Sequence, residues 1–397
     1  MTTKLSHYFD RIGQVCMPLL GPIANNTKQK LLSECSHIAV VHFELPLGTA
    51  VIATASLRSL KDAYPSLQVT AIASGHSLDL LEACPYISNI LSAPNPIKKP
   101  LCSFLYALTK IWPHRKQFDA IVLDGGNRRT LITLFAMLTG IKIRVGYSVN
   151  QRLLHVPACD EQSSSNIEIN NRAFDVISPT PLKIMEPVIF FAQQDDVKSK
   201  SFFQDFSEER LRIVLVTETS LGHPNAWFAD RFVLLSKQLI TQCNALIVLV
   251  GAESNRADIE DLRDQIGFDS VSLAGYTSPR ELAAFMANSD FCISVDTGAM
   301  HVARSVNLPS VILGNAAQPI TLWLPPADLV YIELIRKDHL PCSICWKLQC
   351  STRECMDEIS VQDVISAFSR LKHRNCWGIS ARQHRVLEHI SPCSSNE

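Results

Sequence analysis

The sequence predicts an α/β protein with two parallel sheets, each covered by helices, and three observations support this fold class. From residue 37 onward, short β-rich runs alternate with helical patterns, which is typical of βαβ units. The alternation lapses between about residues 193 and 210 and then restarts. The chain has 397 residues, 47% of them hydrophobic, which is enough for two domains with large cores. We therefore predict two successive Rossmann-like, doubly wound domains.

The first predicted domain opens with a strand over Ile38–Phe43. A loop with Pro46 and Gly48 leads into a helix over Ala50–Ala63, whose apolar positions recur at helical spacing. Pro65 ends that helix, because proline cannot donate the next backbone hydrogen bond. The remaining predicted elements are strands Gln68–Ala73, Ile87–Leu91 and Ala120–Leu123 and helices Ser77–Ala83, Leu101–Ile111 and Thr130–Leu138.

The second predicted domain repeats the alternation after the polar stretch. Its predicted strands are Ile213–Val216, Leu246–Val250, Val271–Leu273, Phe291–Val295 and Ser310–Leu313. Its predicted helices are Ala229–Thr241, Arg256–Ile266, Arg280–Ala287 and Met300–Val306. We expect an extension over residues 1–36, a first domain over 37–192, a linker over 193–210, a second domain over 211–372 and a tail over 373–397.

Composition excludes several classes of protein. The 37 Lys and Arg residues nearly balance the 38 Asp and Glu residues, so overall charge draws the chain neither to nucleic acid nor to a membrane. No apolar run reaches the roughly 18 residues that span a bilayer, and we identify no signal peptide. Most cysteines stand singly in apolar segments, as Cys84, Cys243 and Cys292 do, which indicates a reducing compartment. We expect a cytoplasmic protein without a nucleic-acid partner.

The most informative segment is Ser294–His301, where a buried strand turns into a helix. Such a turn points free backbone amides and the positive helix end at an anion, and a diphosphate suits it. Asp296, Thr297 and His301 add one acceptor and two possible donors, enough to bind a phosphate and a sugar hydroxyl. The alternative on spacing alone is that Asp296 or Thr297 only caps the helix.

This motif resembles glycosyltransferase family 9, the bacterial heptosyltransferases. The resemblance covers roughly residues 37–370 and includes Asp124–Arg128, Leu273–Ser278 with Glu281–Ala283, Pro309, Gly314 and Cys342–Met356. It implies the GT-B architecture, in which two Rossmann-like domains face each other across a cleft. It also implies inverting transfer from a nucleotide sugar, typically ADP-heptose, to a lipopolysaccharide core, another lipid-linked saccharide or a protein, without a cofactor for the chemistry.

The resemblance assigns the donor diphosphate to Thr297, Gly298 and Ala299, with Asp296 and His301 shaping the pocket. Relatives often bind the nucleoside ribose through a carboxylate, and Glu253 is the best placed, since it follows a strand. A solvated helix face is the other interpretation of that acidic segment.

The first departure from the family pattern concerns the general base. The family usually has Gly followed by Asp in the first βα loop, and this chain has Gly48–Thr49. Threonine cannot accept the acceptor's hydroxyl proton at neutral pH. Glu44 in the same loop is the nearest carboxylate and our candidate base, and His42 is a second. The alternative for Glu44 is a solvated loop acid.

The second departure concerns the leaving diphosphate. The family has a Lys two residues before a Trp, whereas this chain has Asn225 before Trp227, which we interpret as a packing residue. An amide donates a hydrogen bond without charge, so it stabilises a departing diphosphate less. His223 or Arg128 could compensate. The same loop offers the hydroxyl groups of Thr217, Thr219 and Ser220.

Four cysteines near the end of the second domain, Cys342, Cys345, Cys350 and Cys355, have the spacing C-x2-C-x4-C-x4-C. Four thiols in this span could close a tetrahedral structural site for zinc or iron. Reduced thiols packed in a loop, or a disulfide, are the alternatives. Such a metal would fold the loop rather than catalyse, because four thiolates leave no open position.

The leading interpretation is a GT-B glycosyltransferase of the heptosyltransferase type. The alternatives are a relative that binds a nucleotide sugar or glycan without transferring it, and an epimerase-like enzyme. A membrane-anchored acceptor would require peripheral contact with the inner membrane. The best candidate surface combines Lys98, Lys99 and Lys110 with Leu101, Phe104, Leu105 and Trp112, and a solvated helix is its alternative.

Overall fold

Two parallel sheets organise the chain, as the sequence predicts. In a computed structural model, the described residues are 10, 31–43, 45–159, 165–217, 225–326, 328–347, 350–374 and 377–391. They divide into two units, Met1–Pro187 and Val188–Glu397. Among the described residues, each unit contains one parallel six-stranded sheet with flanking helices, which confirms the α/β class.

The sheet of the first unit has the strand order β3-β2-β1-β4-β5-β6. Central strand β1 pairs in parallel with β2 and β4, with Val41 opposite Ile72 and Leu123. The carboxyl ends of β1 and β4 therefore meet at the same edge. The strands are β1 His37–His42, β2 Gln68–Ala73, β3 Asn89–Ser92, β4 Ala120–Leu123, β5 Ile143–Gly146 and β6 Val156–Pro157.

The helices of the first unit bury apolar side chains against this sheet. Phe43 and Phe135 meet edge to face at the centre of the core, with ring centroids 5.0 Å apart. Asp10 from the extension accepts the backbone N–H of Thr130 at 2.9 Å and so caps one helix. The helices are α1 Leu47–Ala63, α2 His76–Glu82, α3 Pro100–Tyr106, α4 Thr130–Leu138 and α5 Asn166–Asp175.

The sheet of the second unit has the strand order β12-β11-β10-β7-β8-β9. Strand β10 lies between β11 and β7, all parallel, so the turn after β10 opens at the middle of the carboxyl edge. The strands are β7 Leu211–Val216, β8 Ala245–Val250, β9 Ser270–Ser272, β10 Phe291–Val295, β11 Ser310–Gly314 and β12 Ile332–Arg336.

The helices of the second unit surround a core that includes Trp227. Its ring is 5% exposed, packs on Phe232 and donates to the carbonyl oxygen of Ile359 at 2.9 Å, so it is the packing residue that we expected. The helices are α6 Gln193–Phe203, α7 Ala229–Cys243, α8 Arg256–Ile266, α9 Pro279–Ala287, α10 Gly298–Ser305, α11 Ile320–Trp323, α12 Glu354–Asp357, α13 Val361–Arg374 and α14 Ile379–His389.

Two of the expected boundaries differ from the structure. Residues 193–203 of the expected linker form helix α6, which is tied to α9 by the ion pair of Asp195 with Arg280 at 3.0 Å. Residues 379–389 of the expected tail form helix α14, whose buried Arg385 donates to the carbonyl oxygen of Ser289. Both segments are polar in sequence, yet each buries some of its charged side chains, among them Asp195 and Arg385, against partners in the second unit.

No helix in the described ranges has the length and apolar character needed to cross a bilayer.

Candidate active site

The turn between β10 and α10 presents backbone amides at the carboxyl edge of the second sheet. Thr297 occupies the position before the helix with extended backbone angles, φ −154° and ψ 172°. Its side chain makes no capping hydrogen bond. The first amides of a helix have no partner within the helix, so they can donate to an anion. The capping alternative for Thr297 is therefore not what the structure shows.

Asp296 stands at the start of this turn in a strongly desolvating position. Burial raises its pKa to about 6, and the positive charge of Arg336 partly opposes that rise. Arg336 ends strand β12, where it pairs with Gly314 of β11, so it lies at the same edge of the sheet as Asp296. The side chain of Arg336 is 5% exposed and ion-paired to Asp338 at 2.6 Å.

Arg336 is not among the residues that the sequence predicts for this site. It lies some 40 positions beyond the turn, at the end of strand β12, which the alternation of elements does not predict. The alternating apolar residues Val330, Ile332 and Leu334 are the available signal, because a parallel strand there brings the residue at its carboxyl end to the edge where the turn lies. Arg336 also donates from Nη2 to the carbonyl oxygen of Gln318 at 2.6 Å, so Asp338 and Gln318 hold its guanidinium at this edge.

One of the predicted site residues, Asn225, supports the turn through a hydrogen bond to its backbone. The Nδ2 of Asn225 donates to the backbone oxygen of Asp296 at 2.7 Å, and this side chain is 2% exposed. Asn225 therefore positions the turn, a different role from the direct hydrogen bond to diphosphate that we expected. Thr217, which follows β7, is also buried, and its hydroxyl has no hydrogen-bond partner among the described residues.

His301 lies one helical turn into α10 and is buried. Burial, reinforced by Arg304, lowers the pKa of His301 to about 3, so the ring is neutral at pH 7. Its ring lies 6.2 Å from that of Trp323, measured between centroids. The imidazole therefore shapes the pocket wall and carries no charge for the donor.

Glu253 follows β8, at the carboxyl edge where the sequence placed it. Its side chain is 68% exposed and forms an ion pair with Arg256 at 2.7 Å. The guanidinium of Arg256 also lies 4.3 Å from the ring centroid of Tyr276. Gly275 leaves room for the glutamate, since a Cβ built there would approach its Oε2 to 1.9 Å. The carboxylate of Glu253 is therefore accessible to solvent, and its ion pair with Arg256 orients it.

In the first unit, the carboxyl ends of β1 and β4 bring His42 and Asp124 together. Nε2 of His42 lies 3.5 Å from Oδ2 of Asp124, and both side chains are 3% exposed. Burial lowers the pKa of His42, and the carboxylate of Asp124 partly opposes this. Oδ1 of Asp124 accepts the backbone N–H groups of Gly126 and Asn127 at 2.9 and 3.0 Å. The buried pair therefore fixes the backbone of the loop that follows β4.

Thr49 lies in the first turn of α1, beside the loop after β4. Its Cγ2 would be 3.2 Å from a Cβ built on Gly126, so a side chain at Gly126 would crowd it. Arg128 packs its guanidinium 4.4 Å from the ring centroid of Tyr147 and donates to the carbonyl oxygen of Gly125. The predicted residues Glu44, Thr219, Ser220 and His223 lie outside the described residues.

The four cysteines of the second unit are free thiols, so the disulfide alternative is not formed. Burial raises the pKa of Cys355, and the nearby Cys342 and Cys350 add to that effect. Within the described ranges, no group of three or more His, Cys, Asp or Glu residues is placed to hold a metal ion. The backbone N–H groups of Ile344 and Trp346 donate to the carbonyl oxygens of Ala316 and Ala317. These hydrogen bonds hold the cysteine-containing segment beside the loop that follows β11. The four-thiolate site therefore stays a prediction.

The fold and the turn together correspond to a class of enzyme, the glycosyltransferases with two Rossmann-like domains. The family model for glycosyltransferase family 9 (heptosyltransferase) matches residues 114–355, and the chain belongs to that family.

Individual relatives agree with this assignment. The lipopolysaccharide core heptosyltransferase OpsX of Haemophilus influenzae is 23% identical over 349 residues, which are 82% of this chain and 94% of the relative. A family 9 glycosyltransferase structure from Veillonella parvula has a TM-score of 0.72 at 16% identity and covers 86% of this chain and 98% of its own. The structure of E. coli ADP-heptose lipopolysaccharide heptosyltransferase II has a TM-score of 0.67 at 18% identity, with 84% and 98% covered. The structures support the GT-B fold.

Proposed function

We propose that this glycosyltransferase moves a heptose from ADP-heptose to a hydroxyl group of lipopolysaccharide core or a related lipid-linked saccharide, with inversion at the sugar carbon. The observation that carries the proposal is the uncapped turn Asp296–Ala299, which opens at the middle of the carboxyl edge of the second sheet. ADP-heptose and lipopolysaccharide appear in the names of the relatives that the chain resembles. Those relatives are named as transferases, so the binding-only alternative gains no support from them.

The second unit would bind the donor. The amides of Thr297, Gly298 and Ala299 donate to the diphosphate, and the adjacent guanidinium of Arg336 supplies the positive charge. Charge accumulates on the diphosphate as its bond to the sugar breaks, so this cation stabilises the transition state more than the bound donor. Glu253, held by Arg256, accepts hydrogen bonds from the ribose hydroxyls.

An inverting displacement also needs a base. The acceptor oxygen attacks the anomeric carbon, the bond to the diphosphate breaks, and the hydroxyl proton passes to a carboxylate. His42 is buried against Asp124 and so is poorly placed to contact an acceptor. Thr49 has no basic group at neutral pH. We therefore assign the base to Glu44, the remaining candidate from the first βα loop.

The direct test is transfer by the purified protein with ADP-heptose, UDP-glucose and GDP-mannose and a heptose-deficient lipopolysaccharide core as acceptor. We expect transfer from ADP-heptose only, with a heptosylated product by mass spectrometry. We also expect Asp296→Ala to weaken ADP binding, because it removes the side chain that stands at the start of the turn. Product formed only from a UDP or GDP sugar would contradict the assigned donor.

We further propose that the first unit docks on the anionic inner leaflet, where a lipid-linked acceptor is found. Leu101, Leu105, Leu108 and Trp112 follow one another at helical spacing and are 83%, 62%, 45% and 42% exposed. They lie along α3 and its continuation through the π-helical turn Ala107–Ile111 into the segment Trp112–Gln117. Basic side chains flank this apolar stripe: Lys98, Lys99, Lys110, Arg115 and Lys116.

This stripe differs from the surface that we expected at its apolar positions. Phe104 is partly buried against the core of the first unit. Leu108 takes its place on the exposed side. An exposed apolar stripe bordered by cations is the pattern of an interfacial helix that inserts its side chains between anionic headgroups.

Flotation with liposomes tests this docking. We expect binding to vesicles that contain phosphatidylglycerol, little binding to pure phosphatidylcholine, and at least about tenfold weaker binding after Lys98→Glu with Lys99→Glu, since each basic group near an anionic surface contributes about 1 kcal/mol. The matched control is Lys183→Glu with Lys237→Glu, which makes the same change of net charge at exposed lysines outside the stripe. Equal binding of the two double variants would contradict the proposal.

A further inference from the structure

A cavity of about 310 Å³ lies in the second unit, away from the donor turn. It is formed by helix α6, the start of β7 and the last helix, α14. Arg212 is the second residue of β7, and Asp290 directly precedes β10, so the cavity sits at the amino ends of these strands. Thr217 and Asp296 follow the carboxyl ends of the same two strands. The cavity and the donor turn therefore occupy opposite edges of the sheet.

Buried arginine side chains cluster at this cavity. Arg212 and Arg382 line it, and both are buried, at 6% and 5% exposure. Arg385 is buried next to them on α14. The buried carboxylate facing these groups is Asp290, whose Oδ1 lies 3.4 Å from Nε of Arg382 and whose Oδ2 accepts the backbone N–H of Arg212 at 2.8 Å.

Other charged groups lie near these arginines. Lys200 lines the cavity and is paired with the buried Asp196 at 2.7 Å, so that pair is neutral. The carboxylate of Glu208, which also lines the cavity, acts on Arg212, and that of Glu388 acts on Arg385. Both of these carboxylates are exposed to solvent, where their charge is screened, whereas Asp290 is buried with the three guanidinium groups.

Hydrogen bonds within the protein leave part of this arginine cluster unsatisfied. Nη1 of Arg212 donates to the carbonyl oxygen of Asn288 at 3.0 Å, and Nη2 of Arg382 donates to that of Glu208 at 2.9 Å. Nε of Arg212 is buried and has no hydrogen-bond partner among the described residues. Burial, then repulsion from Arg382, lowers the pKa of Arg212 to about 10. Buried cations normally have anionic partners, and these three guanidinium groups share the buried carboxylate of Asp290.

We propose that this cavity is a binding site for the phosphate group of a small ligand. Arginine presents planar N–H groups that match phosphate oxygens, and two guanidinium groups from different elements can hold one phosphate. Phe203 and Phe206 line the same cavity, and the ring of Phe203 packs against the guanidinium of Arg212, 4.2 Å from its Cζ to the ring centroid. An apolar or aromatic portion attached to the phosphate would therefore find contact with Phe206. The ligand class is either free phosphate or a phosphate monoester. The site is independent of the proposed heptose transfer.

Calorimetric titration of the full chain with sodium phosphate and with phenyl phosphate, at constant ionic strength, tests the site. The informative variant is Gln383→Glu, because Gln383 lines the cavity from an exposed helical position where the substitution does not disturb packing. The matched control is Gln362→Glu, the same change at an exposed position of α13 that does not line the cavity.

We expect saturable binding with a Kd of about 1 mM or lower in the wild type and the Gln362→Glu control. We expect the Gln383→Glu variant to bind about tenfold more weakly, because a carboxylate repels the phosphate at short range. Tighter binding of phenyl phosphate than of phosphate would identify a monoester as the ligand, and equal affinity would identify free phosphate. Absence of saturable binding, or equal affinity in the two variants, would overturn the proposal.

Discussion

The Glu44→Gln variant is expected to lower kcat for sugar transfer by about 10²- to 10⁴-fold, the usual contribution of a general base. The amide is nearly isosteric with the carboxylate but cannot accept the acceptor's proton. Binding of the donor should not change, because the diphosphate contacts are assigned to the turn after β10 in the other unit. Transfer kinetics under donor saturation, with ADP affinity measured separately by calorimetry, will separate the two effects.

His42→Gln is the informative companion variant. His42 is buried and lies 3.5 Å from Asp124, so its replacement should lower thermal stability and disturb the edge that the pair organises. We expect its effect on kcat to be much smaller than that of Glu44→Gln once the folded fraction is taken into account. The reverse ranking, with full activity in Glu44→Gln, would assign the base to His42 and refute our assignment.

The Arg336→Gln variant is expected to lower kcat by about 10²- to 10³-fold, with a smaller change in donor affinity. The magnitude follows from removing one preorganised donor from developing negative charge. Arg336 ends β12 at the same edge of the sheet as the turn, and its positive charge opposes the rise in the pKa of Asp296. Arg336→Lys should recover part of the activity, since it restores the charge without the planar donor pair.

Arg370→Gln provides the matched control for this experiment. Arg370 is an exposed arginine of α13 that is ion-paired to Glu333 at 2.7 Å. Its replacement by glutamine removes one positive charge from the same unit, as Arg336→Gln does. We expect nearly unchanged kcat and at most a small loss of stability. If Arg336→Gln keeps wild-type kcat, another cation stabilises the diphosphate, and Arg128 of the first unit becomes the next candidate.

The donor half of the candidate site could be predicted from the sequence because its parts are contiguous. Residues 294–301 contain the strand end, the turn and the helix start, so their chemistry is visible in one short segment. Arg336 could not be assigned in that way. It reaches the turn through parallel pairing of β12 with β11, a contact between segments that no local pattern specifies.

In the cysteine segment, by contrast, the sequence pattern suggests a site that the described part of the tertiary structure does not show. The spacing of Cys342, Cys345, Cys350 and Cys355 is compatible with a metal site, but spacing does not state where the thiols point. Backbone hydrogen bonds from Ile344 and Trp346 to Ala316 and Ala317 fix the course of this segment beside the loop after β11. The metal site therefore stays a prediction.

The amino-acid sequence by itself determined the two-domain α/β class, every strand of the described residues except β5, β6 and β12, and the strand-to-helix turn that follows β10. Those features depend on local periodicity and on strand-to-helix junctions. Tertiary structure decided the roles of the polar segments 193–203 and 379–389, whose charged side chains are satisfied by distant partners in the second unit. It also decided that Asn225 supports the turn and that three arginines share Asp290 at the far edge of the sheet. Burial and pairing of a charged group depend on residues remote in the chain, and for that reason composition and periodicity do not reveal them.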